Sequence, residues 1–171
     1  IPLSEFVPGI SIPWVFAVRG KNKGYDEMMK VAVNSALQKT SLLPYVMVHP
    51  DEAQYDRVKW LRSKGVHVCF HRPTWEPRLL EILQHSTESA RKASHLYSDP
   101  EMVLGTFFRL DVAVLPELLQ FEHVLYTDID VLFNNDITDM QGEGLKLPPT
   151  IQLAIETRNL AVLNAGVYFA S

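Results

Sequence analysis

The chain has 171 residues, 47% of them hydrophobic and 21% charged, which suits one soluble globular domain with its own core. Its formal net charge of −4 excludes the basic footprint of a nucleic-acid binder. No apolar run reaches the ~18 residues of a membrane span, and the single cysteine, Cys69, excludes an internal disulfide and weighs towards a cytoplasmic setting.

In chain order, Trp14-Val15-Phe16-Ala17-Val18 is a short apolar run behind Pro13 and reads as a buried strand. A polar stretch, Arg19 to Gly24, leads into a helix over 26–39, with Met28, Val31, Ala32 and Ala36 near one face. Tyr45 to Val48 is a second strand, closed by His49-Pro50. Asp51 with Gln54 resembles a capping box; the helix it opens carries Tyr55, Val58 and Leu61, and Gly65 stops it. Val66 to Phe70 is a third strand. This alternation predicts right-handed crossovers and a parallel sheet.

Further on, 76–97 reads as mostly helical and 104–115 as a buried helix. Pro116 opens a short further helix as its first residue. Val124-Leu125-Tyr126 is a strand that runs into Thr127-Asp128-Ile129-Asp130. A loop rich in Gly and Pro spans 141–149, and 150–155 and 161–170 read as two more strands. The chain starts Ile1-Pro2-Leu3-Ser4, without Met or a signal pattern, and ends at Ser171 behind an apolar run. Residues 1–171 are therefore expected to form a single domain, trimmed at the front and truncated at the C-terminus.

Asp128-Ile129-Asp130 carries the chemistry. Two carboxylates two residues apart in extended chain point to one side, and they leave a strand end, where open α/β sheets bind ligands. A hard cation such as Mg²⁺ or Mn²⁺ takes one or two carboxylates together with phosphate oxygens. Such an ion neutralises the charge that grows on a diphosphate leaving group. Nine Asp in 171 residues give about 0.5 such triplets by chance, so the triplet alone favours a solvated carboxylate pair and its context has to decide.

That context is Phe108-Arg109-Leu110-Asp111, then Glu122 to Phe133 around the triplet, then Leu163-Asn164-Ala165-Gly166-Val167-Tyr168-Phe169. In these three blocks, in this order, the sequence resembles glycosyltransferases of the GT-A fold. It looks closest to family 8, the group of glycogenin and bacterial lipopolysaccharide galactosyltransferases. The resemblance is strong over 104–170 and topological over 12–72. It implies an α/β, three-layer sandwich with a mostly parallel central sheet, as in nucleotide-diphospho-sugar transferases. It implies that Asp128 and Asp130 are metal ligands for Mn²⁺ or Mg²⁺, with Asp128 also reaching the ribose. It implies that Arg109 faces the donor diphosphate or sugar, that Asn164 and Ala165 line the donor-sugar pocket, and that Ala17, Val18 and Arg19 contact the nucleoside. Asp130 and Arg109 are the catalytic candidates. The sequence departs from the family in lacking an acidic residue near Arg19, and the family's later metal-ligating His falls beyond Ser171.

The function so implied is divalent-metal-dependent transfer of a hexose from a nucleotide-sugar donor, with UDP as the nucleotide, to a hydroxyl of a glycan or glycoprotein, and the likeness to family 8 implies retention of configuration. The alternatives are a non-catalytic nucleotide-sugar-binding module and a metal-dependent nucleotidyltransferase. No transmembrane segment and no nucleic-acid partner are expected. Other residues have bland readings beside the sharp ones. Arg109 also fits a structural ion pair with Asp111 or Glu117. Asn164-Ala165-Gly166 also fits a bulge. His67, Cys69 and His71 share a strand face and are zinc-ligand types, but a covered face with satisfied imidazoles is favoured. Lys21 and Lys23 read as a solvated loop before a phosphate clamp. Tyr25 stacks on a base or packs in the core, and Glu156 is a weak catalytic candidate.

Overall fold

The computed structural model of the chain describes residues 12–85, 99–137, 152–155 and 163–170. Apolar runs with no polar alternation make strands covered on both faces, as in β1 (Pro13–Val18) and β2 (Leu43–Val48), while β3 (His67–Phe70) lies at the sheet margin with His67 and Phe70 exposed. Between them lie α1 (Lys23–Lys39) and α2 (Asp56–Ser63). Helix α1 starts earlier than its apolar periodicity indicates, because the Asn22 side chain caps it by accepting from the N–H groups of Gly24 and Tyr25. The chain continues through α3 (Glu76–His85), α4 (Pro100–Phe107), a 3₁₀ stretch Phe108–Val114, a short 3₁₀ turn Pro116–Leu118, and the strands β4 (Val124–Thr127), β5 (Gln152–Ile155) and β6 (Leu163–Ala170). The expected loop over 141–149 and the second half of the expected helix over 76–97 lie outside the described residues.

Two helices differ from their sequence pattern for visible reasons. Asp51-Gln54 does not cap a helix. Pro50–Glu52 makes a single 3₁₀ turn, and α2 begins only at Asp56. Glu52 is drawn away into a tertiary contact, accepting from the Gly20 N–H at 2.7 Å and pairing with Arg57. The helix expected over 104–115 starts instead at Pro100, with Asp99 as its side-chain cap, and turns into the 3₁₀ stretch at Phe108. Pro116 holds Leu115 in an extended conformation and ends that stretch. Gly65, with φ of 79°, closes α2 as expected.

The strands form one sheet in the order β3-β2-β1-β4-β6-β5. The pairs β1–β2, β2–β3 and β1–β4 are parallel; β4–β6 and β5–β6 are antiparallel. The sheet is thus mostly parallel, with β6 opposed to its neighbours. Alternate side chains feed two cores. Trp14, Phe16, Val46, Val48 and Leu125 pack with Met29, Ala32 and Val33 of α1 and Val58 and Leu61 of α2. Val15, Met47, Val124 and Tyr126 pack with Phe108, Val112, Leu115 and Leu118. This is the expected three-layer α/β sandwich. Among the described residues, no helix is long and apolar enough to cross a membrane.

Candidate functional site

The sheet order reverses at β1. The chain leaves β1 towards β2 and β3, and later returns to its other flank as β4. In open α/β sheets such a point opens a crevice at the carboxyl ends of the two strands. A cleft of about 200 Å³ lies there, lined by Ala17 and Val18 of β1, Arg19 just past it, Arg109 from the 3₁₀ stretch, and Asp128, Ile129 and Asp130 behind β4. Tyr25 and Asp26 at the start of α1 and Glu101 and Gly105 of α4 complete much of its wall.

The backbone at Asp128 is fixed through both its carbonyl and its N–H. The Trp14 indole Nε1–H, buried in the core, donates to Thr127 Oγ1 at 2.8 Å, and that hydroxyl donates to the Asp128 carbonyl at 2.8 Å. The Asp128 N–H donates to the Gly166 carbonyl at 2.7 Å. The triplet therefore bends at Ile129–Asp130 rather than staying extended. Ile129 packs against the core that α1 covers and borders the cleft together with Asp128 and Asp130. Asp130 is exposed, and among the described residues it has no hydrogen bond or ion pair.

Asp128 is held by two side chains. Arg109 Nη2 lies 3.0 Å from Oδ1 and 3.3 Å from Oδ2, and the Tyr126 hydroxyl donates to Oδ1 at 3.3 Å. Burial raises its pKa, Arg109 and the Tyr126 hydrogen bond lower it, and the Asp130 charge raises it; the net shift is upward. Arg109 is itself anchored. Its Nε donates to the Thr106 carbonyl at 2.8 Å, its guanidinium lies 5.7 Å over the Tyr126 ring, and its own carbonyl accepts from the Tyr168 hydroxyl at 2.6 Å. The Tyr126 and Tyr168 rings stack at 5.0 Å. Burial pushes the Tyr168 hydroxyl up to about 12 and Tyr126 higher still, so both remain proton donors at neutral pH.

Arg109 is thus in an ion pair, but with Asp128. Asp111 instead accepts from Trp75 Nε1 at 2.8 Å and faces His71 Nε2 at 2.6 Å. Arg19 borders the cleft with its side chain only 8% exposed, between Glu101 at 2.6 Å and Glu52 and Glu76 at 3.7 Å each. The guanidinium has structural partners in addition to its place in the cleft wall. Asn164 and Ala165 lie in β6 just before Gly166, and the antiparallel register carries that segment past the carboxyl end of β4. The three sequence blocks thus meet at one end of the sheet. Glu156 lies outside the described residues.

The remaining candidates divide: His71 and Cys69 take the bland reading, whereas His67 is exposed and not covered, and Tyr25 lies at the cleft and not in the core. His67 stacks on Tyr45 at 4.6 Å, His71 pairs with Asp111, and Cys69 is buried. Lys21 sits 4.8 Å over the Tyr55 ring beside a neighbouring hollow. Lys23 forms the first residue of α1, and Tyr25 is partly exposed at the cleft. Sequence reasoning missed Tyr126, Tyr168, Glu101 and Asp26. The period-two signal that puts Tyr126 on the Asp128 side was there to be read; Tyr168 and Glu101 needed the strand register and the helix docking.

No protein-family model and no curated protein sequence matches the chain. Solved structures do. Mouse xyloside xylosyltransferase 1 in its apo form superposes with a TM-score of 0.52 at 15% identity, over 94% of this chain and 66% of that one. The apo form of the glycosyltransferase GlyE of Streptococcus pneumoniae TIGR4 gives 0.53 at 19% identity, over 94% and 33%. The PaToxG glycosyltransferase gives 0.51 at 12% identity, over 95% and 55%. The chain has the GT-A-type glycosyltransferase fold. It spans less than two thirds of the length of each of these neighbours.

Within this GT-A fold the donor set at the cleft fits a shared metal better than a caged one. Among the described residues, no three His, Cys, Asp or Glu side chains gather to hold an ion by themselves. Two carboxylates do border one cleft, and Asp130 has no hydrogen-bond partner among the described residues. Mg²⁺ and Mn²⁺ accept such a pair when phosphate oxygens and water fill the other positions.

Proposed function

We propose that the chain is the donor-binding part of a metal-dependent glycosyltransferase. It moves a sugar from a nucleotide-diphosphate sugar, with UDP as the nucleotide, to a hydroxyl of a glycan or glycoprotein acceptor. The observation that carries this reading is the convergence of Asp128, Asp130 and Arg109 on one cleft at the carboxyl ends of β1 and β4. The fold shared with glycosyltransferases supports it, and the three sequence blocks favour family 8, whose members retain anomeric configuration.

In this reading Asp128 and Asp130 hold Mn²⁺ or Mg²⁺. When bound, the ion neutralises charge on the departing diphosphate. Arg109 donates to the diphosphate, for which its planar fork is suited. Ala17, Val18 and Arg19 border the nucleoside, and Asn164 and Ala165 border the donor sugar. Arg19 is kept in place by Glu101, Glu52 and Glu76. An ordered, partly buried site of this kind orients the donor before the acceptor arrives.

The test is calorimetric titration of UDP with and without Mn²⁺. Metal is expected to tighten UDP binding by about ten-fold or more, within the usual range of coupling between two ligands. Asp130→Ala is expected to remove most of that gain while leaving metal-free UDP binding intact. Equal UDP affinity with and without Mn²⁺ in the unmodified protein refutes the reading.

A further inference from the structure

The place a cation would take on Asp128 is already filled from within the protein. Arg109 Nη2 lies within 3.3 Å of both carboxylate oxygens, and the Tyr126 hydroxyl adds a third contact on Oδ1. Arg109 is not a loose surface side chain. It is 17% exposed and tied to the Thr106 carbonyl through Nε. Two carboxylates and one guanidinium leave the pair with one net negative charge instead of two. A free divalent ion arriving here meets a weakened field, and a fixed cation sits beside its first ligand. A diphosphate changes that balance. It supplies oxygens to the metal and gives Arg109 a second anion to bridge.

We propose that this site takes its divalent cation preferentially as the metal–diphosphate complex, with Arg109 serving as resident counter-ion of Asp128 until that complex arrives. The inference rests on the donor-binding reading above and adds an order of assembly to it. Asp130 is the first contact for the incoming complex, because it is exposed and its oxygens have no partner among the described residues. Asp128 joins when Arg109 shifts its hydrogen bonds towards phosphate.

The experiment titrates Mn²⁺ alone, followed by the paramagnetic resonance of the free ion, and repeats the titration with saturating UDP. Three proteins are compared: the unmodified chain, Arg109→Met, and Arg109→Gln, which drops the charge but keeps a hydrogen-bond donor should the methionine variant fail to fold. The unmodified chain is expected to bind Mn²⁺ weakly by itself and about ten-fold or more tightly with UDP. Either neutral variant is expected to bind Mn²⁺ alone about ten-fold more tightly than the unmodified chain and to gain less from UDP. If UDP has no effect on Mn²⁺ binding in the unmodified chain, the donor-binding reading falls and takes this inference with it. If UDP does tighten Mn²⁺ binding there, yet the folded neutral variant binds free Mn²⁺ no better, only the counter-ion role of Arg109 is overturned.

Discussion

Trp14 joins the core to the cleft. Its ring is fully buried between the strands and α1, and its Nε1–H starts the relay through Thr127 to the Asp128 carbonyl. Trp14→Phe keeps an aromatic ring but deletes the donor, leaves the Thr127 hydroxyl without the bond it accepts and opens a small cavity. A loss of about 2 kcal/mol in unfolding free energy is expected from urea denaturation, the sum of one hydrogen bond and a modest void. UDP binding should weaken as well, because the Thr127 hydroxyl that tethers the Asp128 carbonyl is no longer oriented by the indole; a destabilised variant with unchanged UDP affinity would show the relay to be structural only. At this scale the sequence disclosed the charged residues better than their partners. Asp128, Asp130 and Arg109 stood out because carboxylate spacing and block order are local patterns. The tyrosine pair beneath them did not, since Tyr126 and Tyr168 meet only through the register of two strands 42 positions apart. Asp111 looked like a partner for Arg109 from its nearness in sequence, but the 3₁₀ winding turns it towards His71 and Trp75.

Among the elements, α4 sets the width of the cleft. It comes so close to the end of β1 that a Cβ on Gly105 would stand 3.1 Å from Arg19 Cβ. One turn earlier Glu101 reaches Arg19 itself, at 2.6 Å. Gly105→Leu is expected to push α4 outward. It should destabilise the fold by about 1–3 kcal/mol in urea, the usual cost of overpacking. It should also loosen Arg19, seen as weaker UDP binding. Unchanged stability would mean that α4 yields without consequence and that the glycine is incidental. The strands were legible to within about two residues, because a short apolar run between turn signals has few other fates. The helices were less so. The capping box read at Asp51 and Gln54 does not form, and Glu52 beside it reaches Gly20 and Arg57, a tertiary contact that no local pattern announces. The Asp99-Pro100 start of α4 carried a clear cap signal that lay just outside the apolar stretch chosen as the helix.

For the whole molecule, β1 is the organising strand. It pairs in parallel with β2 on one side and β4 on the other, and both cores draw side chains from it. The order of strands was beyond reach of the sequence, because parallel pairing is fixed by crossovers and not by any pattern within a strand. That same order puts β3 at one margin of the sheet, and on it sits Cys69, 2% exposed, with burial holding its thiol up to about 12. At pH 8 a thiol of that kind is almost wholly protonated, whereas an unfolded cysteine titrates near 8.5 and is about a quarter thiolate. The chain has no other cysteine. Alkylation by a soluble maleimide is therefore expected to run about a thousand-fold slower in the native protein than in urea, and rapid native labelling would contradict the packing around β3. The sheet margin thus carries its own clock, in which each adduct, weighed by mass spectrometry, dates one opening of that edge.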